Sequence, residues 1–366
     1  MNMQSHANAS PRRQRSIEAA LLVALVILVA VGQWRIAVHD ADSSMALVRR
    51  PRGVMGTDCV LAAVAARRDA AAAEAALDAA EAALRHVEAR MSNWLDDSEV
   101  SRLCTAATGT PIPLSPDTLA VLRAARDAFE STARTFDVTC RPQIELWRHA
   151  GATAQMPPEA EIAEACAASR WEDLVLTDSG VVKRTAGACV DLGGIAKGYG
   201  IDLAVQALQR AGLRGGLVDV GGDVACFGRQ AGGQLWLIAV KDPAQPGSIT
   251  QLHAGDRAVA TSGDYARYFE IEGKRHSHII DPRTGRPAEA ARAATVVADT
   301  ALVADVWATA LSVLGPEGLE RLPEGVEALV VGSGENGQRL VCTPGFRELC
   351  IGPLLKTSPA TRSRPP

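Results

Sequence analysis

No Cys-x-x-Cys pair occurs in this 366-residue chain, although it carries eight cysteines, so a zinc clasp or a thioredoxin-like redox motif has no ligands to build on. Aromatic residues are scarce, at 4%. No basic block or aromatic-interleaved basic stripe is present, which leaves nucleic-acid binding without support. Neither charge dominates, with 38 basic residues against 42 acidic ones. The G-x-S-x-G, H-E-x-x-H and S-x-x-K/K-T-G signatures are all missing, which removes the common exported hydrolases. A Walker loop fails because Lys197 precedes its glycine with no Ser/Thr after it, and the G-x-G-x-x-G spacing of a dinucleotide fingerprint is absent.

What is there begins at the N-terminus. Arg12, Arg13 and Arg15 precede the apolar run Ile17 to Val31, which Trp34 and Ile36 extend towards the roughly 20 residues of a membrane span. A basic flank before a short apolar segment reads as a signal peptide or an uncleaved anchor, with Ala30-Val31-Gly32 as a cleavage site. The expected location is the bacterial inner membrane with the body in the periplasm, or export to the periplasm if the segment is cleaved. In that oxidising setting Cys342 and Cys350 are placed to close a short loop, and the other cysteines are expected as buried thiols.

Nearly half the residues are apolar, at 47%, ample for a large core. Periodicity predicts a strand over Thr57 to Ala63 and helices over Ala70 to Arg90, Ser115 to Thr132 and Ile195 to Ala211. MSNWLDDSEVSRL reads as a polar loop. A hairpin is expected over Trp171 to Arg184, and another spans Tyr268 to Ile280 with Glu272-Gly273 at its tip. Asp299 or Thr300 caps a helix reaching Leu314, and ALVVGSGENGQRLVCT forms a last hairpin. Without regular βαβ repetition this is an α+β layout, not a doubly wound sheet.

Three constellations carry chemistry, each with a plain alternative. VDLGGIAKGYG, residues 190–200, puts Asp191, a glycine pair and Lys197 where a chain enters a helix, whose first amides favour an anion. The alternative is a tight turn with Lys197 solvated. Asp305 and Thr309 in ADVWATAL lie four apart on one helical face and offer a carboxylate and a hydroxyl to a hard cation. Equally, Thr309 bonds back along its helix and Asp305 is merely solvated. His276 and His278, before Asp281-Pro282, share one face if the strand continues through them, which suits a general base or a phosphate contact. A half-exposed pair on an edge strand is the rival reading.

Taken in order, MGTDCVLA, MSNWLDDSEVSRL, TFDVT, DLGGIAKGYGID with LVDVGGD, ATSGDY, HIIDPRTG and ADVWATAL resemble the ApbE family of FAD:protein FMN transferases. The resemblance implies an ApbE-like, T-fold-like domain of largely antiparallel sheets packed with helices over residues 55–352. Around it lie a basic region 1–16, the signal segment 17–36, a linker 37–54 and a disordered tail 353–366. It implies cleavage of FAD at the pyrophosphate, transfer of FMN to a threonine or serine of an extracytoplasmic flavoprotein, and release of AMP, with Mg2+ as cofactor. In this likeness Gly194, Asp305 and Thr309 are the metal ligands, with Gly194 giving its carbonyl. Met55, Trp94, Thr135, Phe136, Asp137, Asp191, Lys197 and Ile280 line the FAD site, and His278 with Asp305 is catalytic. Some relatives carry an acid where this chain has Leu302, which implies a leaner metal site. The rivals are an FAD pyrophosphatase on the same scaffold and a non-catalytic FAD-binding protein.

Overall fold

The computed structural model describes residues 43–264, 268–334, 337–352, 354 and 357–359. The basic stretch 1–16, the apolar stretch 17–36 and most of the tail after residue 353 lie outside these. Among the described residues no helix is long and apolar enough to cross a membrane.

The chain order is β1 (Ser44–Arg49), β2 (Cys59–Ala66), α1 (Ala70–Met91), α2 (Glu99–Thr105), β3 (Pro111–Pro113), α3 (Pro116–Ser131), α4 (Arg141–Thr153) and α5 (Glu159–Ala168). Then follow β4 (Leu174–Leu176), β5 (Gly180–Lys183), α6 (Ala196–Arg210), β6 (Gly215–Val220), β7 (Asp223–Gly228), β8 (Leu237–Lys241), β9 (Ser248–His253) and β10 (Ala258–Gly263). Next are β11 (Tyr268–Ile271), β12 (Lys274–Ser277), β13 (Ile280–Asp281), β14 (Arg286–Pro287), β15 (Ala293–Ala298) and α7 (Ala301–Leu314). The chain closes with β16 (Glu327–Gly334), β17 (Gly337–Cys342), α8 (Pro344–Leu349), β18 (Cys350–Ile351) and β19 (Thr357–Pro359).

A nine-stranded sheet in the order β1-β2-β6-β7-β10-β15-β16-β17-β19 organises the molecule, antiparallel except for the β17–β19 pair. Its central strands are buried on both faces, and their alternation sorts two cores. Ala258 and Ala260 of β10, with Ala294, Val296 and Ala298 of β15, join the large core beneath α1, α6 and α7. Val259, Ala293 and Val297 point the other way, into a smaller core with β8, β9 and α8. The α+β reading with largely antiparallel sheets therefore holds.

Several boundaries differ from expectation for local reasons. Residues 44–49, inside the stretch read as linker, pair antiparallel with β2, because edge pairing asks only for an extended alternating segment. The segment read as a polar loop contains the first five residues of α2, capped by Ser98, whose hydroxyl accepts from Ser101 N at 2.9 Å. The hairpin Tyr268 to Ile280 ends at Ser277, with Glu272 and Gly273 at φ 50° and 74° in its turn. His278 therefore sits in a bend rather than in the strand, and the shared face of His276 and His278 does not form. Thr357–Pro359, within the tail read as disordered, pairs with β17.

The cysteines also pair otherwise than expected. Cys104 and Cys189 form a disulfide across 85 residues, while Cys342 and Cys350 are free. Cys342 lies on β17 and faces the smaller core, and the Cys350 thiol donates to Phe346 O at 3.2 Å. The bond that does form ties the end of α2 to the loop before α6.

The α6–α7 crossing fixes the site. Asp202 of α6 accepts from Ala301 N at 2.7 Å and Leu302 N at 3.0 Å, while the Thr300 hydroxyl caps Val303 N at 3.3 Å. A methyl group on Gly198 would stand 2.4 Å from Ala301 O and 2.6 Å from Leu302 Cα, both backbone atoms. Gly198→Ala should therefore push the helices apart and cost about 1–3 kcal/mol of stability. An unchanged urea midpoint for this variant would show that the crossing has room to spare.

Candidate nucleotide and metal site

The loop before α6 is built on two buried anchors, Leu192 and Ile195. Leu192 O accepts from Ile195 N at 3.1 Å and Ala196 N at 2.8 Å, which starts the helix. Asp191 Oδ1 accepts from Gly193 N at 2.8 Å, and its own amide donates to Val138 O at 2.7 Å. The second bond fastens the glycine loop to the Thr135–Thr139 segment. Burial pushes the Asp191 carboxyl above its ordinary pKa, opposed by the Gly193 amide and by Arg141 and Arg148.

Gly194 lies over Phe136 and against α7. A methyl group there would come within 3.1 Å of the Phe136 ring and 3.2 Å of Thr309 Oγ1. The absence of a side chain is what lets the loop backbone approach Thr309. Thr309 Oγ1 also lies 3.4 Å from Ser262 Oγ of β10. The back-bond within α7 is not the contact seen here.

Asp305 is not merely solvated. It is 2% exposed; its Oδ2 accepts from Gly198 N at 3.1 Å and its Oδ1 faces Lys197 Nζ at 3.1 Å. Lys197 Nζ also contacts Asp223 Oδ2, and Asp223 Oδ1 accepts from Thr261 N at 3.0 Å. Burial opposes the lysine's charge, yet Asp305 and Asp223 outweigh it and hold its pKa above the ordinary value. Burial raises the Asp305 pKa, with Lys197 pulling the other way. The reading of Lys197 as a solvated turn residue is thus replaced by an ion-pair network in which the half-buried lysine bridges two buried acids.

The remaining expected residues fall at different distances from this centre. Met55, at φ 51°, lies against α6, where a methyl group on Gly200 would be 3.3 Å from its sulfur. Trp94 is 77% exposed, with the Arg148 guanidinium 4.7 Å from its ring centroid. Beside it, Arg141 donates to Asn93 Oδ1 at 2.7 Å. The Thr135 hydroxyl is buried and donates to Thr132 O at 2.7 Å, so it faces inward. Asp137 Oδ1 accepts from Thr139 N at 2.8 Å and its hydroxyl at 2.7 Å. Burial pushes the Asp137 carboxyl up to about 6. Ile280 is buried with Trp147, Ala150, Ile162 and Ile271, and the ring of His276 lies 5.7 Å from that of Trp147. His278 is half-buried between β12 and β13.

Two residues escaped the sequence reading, Asp223 and Ser262. Both sat inside motifs that had been noticed, LVDVGGD and ATSGDY, but neither has a helical partner at fixed spacing. Only the pairing of β7 with β10 brings them to α6 and α7.

A glycine loop opening a helix, a half-buried lysine between two buried acids, and a hydroxyl near by are together the kind of features that suit a phosphate ester on an α+β scaffold. The particular family follows from comparison. The ApbE family model matches residues 55–330. An FAD:protein FMN transferase of Vibrio cholerae is 36% identical over 240 residues, covering 64% of this chain and 72% of that relative. One from Klebsiella pneumoniae is 30% identical over 348 residues, covering 91% and 97%. Among solved structures, the flavin transferase ApbE from Vibrio cholerae superimposes with a TM-score of 0.73 at 28% identity, over 84% of this chain and 99% of that one. The apo form of the Pseudomonas stutzeri flavinyl transferase ApbE gives 0.73 at 29%, over 84% and 97%. The chain belongs to the ApbE family.

The burial that raises Asp137 has a testable sign. Its folded pKa lies above the unfolded value, so its contribution to stability is full below about pH 4 and is lost as pH rises through about 6. Asp137→Asn keeps the Oδ1 acceptor without the charge. It should gain about 1–3 kcal/mol at pH 7 and nothing at pH 3.5, read from denaturant unfolding at the two pH values. A pH-independent difference would contradict the buried-charge account.

Proposed function

We propose that this protein transfers the FMN part of FAD to a threonine or serine hydroxyl of an acceptor flavoprotein and releases AMP, with Mg2+ as cofactor. The observation that carries the reading is the close approach of Gly194 to Thr309 Oγ1, with Asp305 one turn earlier on α7 and bonded to Gly198 N of the crossing helix. These supply a carbonyl, a hydroxyl and a carboxylate, the hard-oxygen set that suits magnesium once waters and substrate phosphates complete its shell. Each Asp305 oxygen already accepts one hydrogen bond and has a lone pair left for a cation. Bound there, the ion offsets the charge that builds on the pyrophosphate as AMP leaves.

The chain's own groups do the remaining work. Asp191 keeps the glycine loop in shape, and Lys197 at the start of α6 offsets part of the charge that Asp223 and Asp305 would otherwise present to the phosphates. Phe136 forms an apolar floor under Gly194. Trp94 and Met55 are the FAD contacts, with Asp137 beside them and the buried Thr135 and Ile280 supporting the wall from behind. His278 takes the proton of the attacking hydroxyl, with Asp305 beside the reacting phosphate. The bond formed joins the acceptor oxygen to the FMN phosphorus; the bond broken leads to the AMP oxygen, which leaves as the phosphate monoester.

The location proposed is the periplasmic face of the inner membrane, with residues 17–36 as anchor or cleaved signal. The disulfide between Cys104 and Cys189 supports an oxidising compartment, because such bonds do not persist in a reducing cytosol. The acceptor is accordingly an extracytoplasmic flavoprotein subunit.

Incubation with FAD, Mg2+ and a threonine-bearing acceptor domain should add the mass of FMN to the acceptor and yield AMP in equal amount. Chelation should stop both. Asp305→Asn should lower transfer about a thousand-fold while FAD binding, followed by flavin fluorescence, persists. AMP and free FMN with an unmodified acceptor would point to the pyrophosphatase instead.

A further inference from the structure

Asp223 and Asp305 are held in the same way. Each has one oxygen on a backbone amide and turns the other to Lys197 Nζ. For Asp305 the amide is Gly198 N, for Asp223 it is Thr261 N, both within 3.1 Å. The carboxylates come from α7 and β7, and the amides from α6 and β10. Both side chains are almost fully buried, Asp223 at 5% exposure and Asp305 at 2%.

The backbone therefore orients both carboxylates whether or not the lysine is present. Without its ammonium, two charged oxygens would face a common gap in a poorly solvated place, where like charges repel strongly. The lysine leaves the group one negative charge in excess; a divalent ion in the same gap would balance it. Oxygens fixed in advance and turned towards one point are what a hard cation requires. The ammonium holds that point by a covalent tether, so chelation cannot remove it.

We propose that Lys197 Nζ is a built-in cation occupying a position between Asp223 and Asp305 that a divalent ion would otherwise take. It keeps β7, α6 and α7 assembled in the absence of metal. It also leaves exchangeable metal to the Gly194–Thr309 side of α7, a part that rests on the metal ligands of the proposed function. Removing the ammonium turns the gap into an additional divalent-cation site. The inference concerns the number of ions bound and does not depend on flavin transfer.

The test counts Mn2+ bound to the metal-stripped full chain in detergent, by equilibrium dialysis and the EPR signal of free Mn2+. Lys197→Ala and Lys197→Met should each bind one more Mn2+ per chain than the unaltered protein. Lys197→Ala combined with Asp223→Asn should return to the original number. Folded single variants, verified by circular dichroism, that bind no extra ion would overturn the proposal. If Lys197→Ala unfolds when stripped, recovery in millimolar Mn2+ but not in NaCl of equal ionic strength supports the proposal. Failure to fold in either overturns it, because the balancing charge has then been restored without effect. Thr309→Val should remove one ion from every variant; if it does not, the metal ligands of the proposed function are wrong while the Lys197 inference stands.

Discussion

Everything at this site depends on how closely α6 and α7 cross. At Gly198 the helices approach until no Cβ fits between one backbone and the other. That proximity lets the Gly198 amide reach the Asp305 carboxylate, and it delivers Lys197, one residue earlier, to the same group. The crossing is fastened at the other side by Asp202, which caps the first amides of α7 from within α6. A helix shifted by one residue would turn Asp305 away from Lys197 and Thr309 away from Gly194. The site is as precise as the crossing.

A half-buried lysine between two buried acids is a costly arrangement to assemble. Each ion loses hydration on burial, and the attraction between them repays this only when the geometry is good and the remaining lone pairs are satisfied. Both conditions are met, since each carboxylate has a backbone amide as well as the ammonium. The two acids sit against a large apolar core beneath α1, α6 and α7, which sets the distances. Two further ties stiffen the approach to the loop. The Cys104–Cys189 disulfide holds the residues just before Asp191, and Lys183 donates to Cys104 O and Ala186 O in the same region.

Much of the fold was legible because local signals agreed with it. Leu77, Leu84 and Val87 marked the buried stripe of α1, and Ser115-Pro116 marked the start of α3. Gly212, at φ 68°, follows the end of α6 as a local stop signal. Helices α4 and α5 went unseen, since α4 opens on a 3-10 turn and ends at a left-handed alanine rather than a glycine. Strand β1 went unseen because an edge strand needs little more than alternation. The disulfide was misread because proximity along the chain favoured Cys342 with Cys350, whereas folding brings together cysteines from distant segments.

The sequence by itself determined the elements on which the chemistry rides: the glycine loop entering a helix, and Asp305 with Thr309 on one helical face. Those follow from backbone periodicity and from the unpaired amides at a helix start, which are properties of a few consecutive residues. The tertiary structure alone decided the company these residues keep. It placed Asp223 and Ser262 beside them, made Lys197 a shared partner of two buried acids, and moved His278 out of the strand. Such outcomes depend on strand order and on a helix crossing between segments far apart in the chain, where no local spacing carries the information.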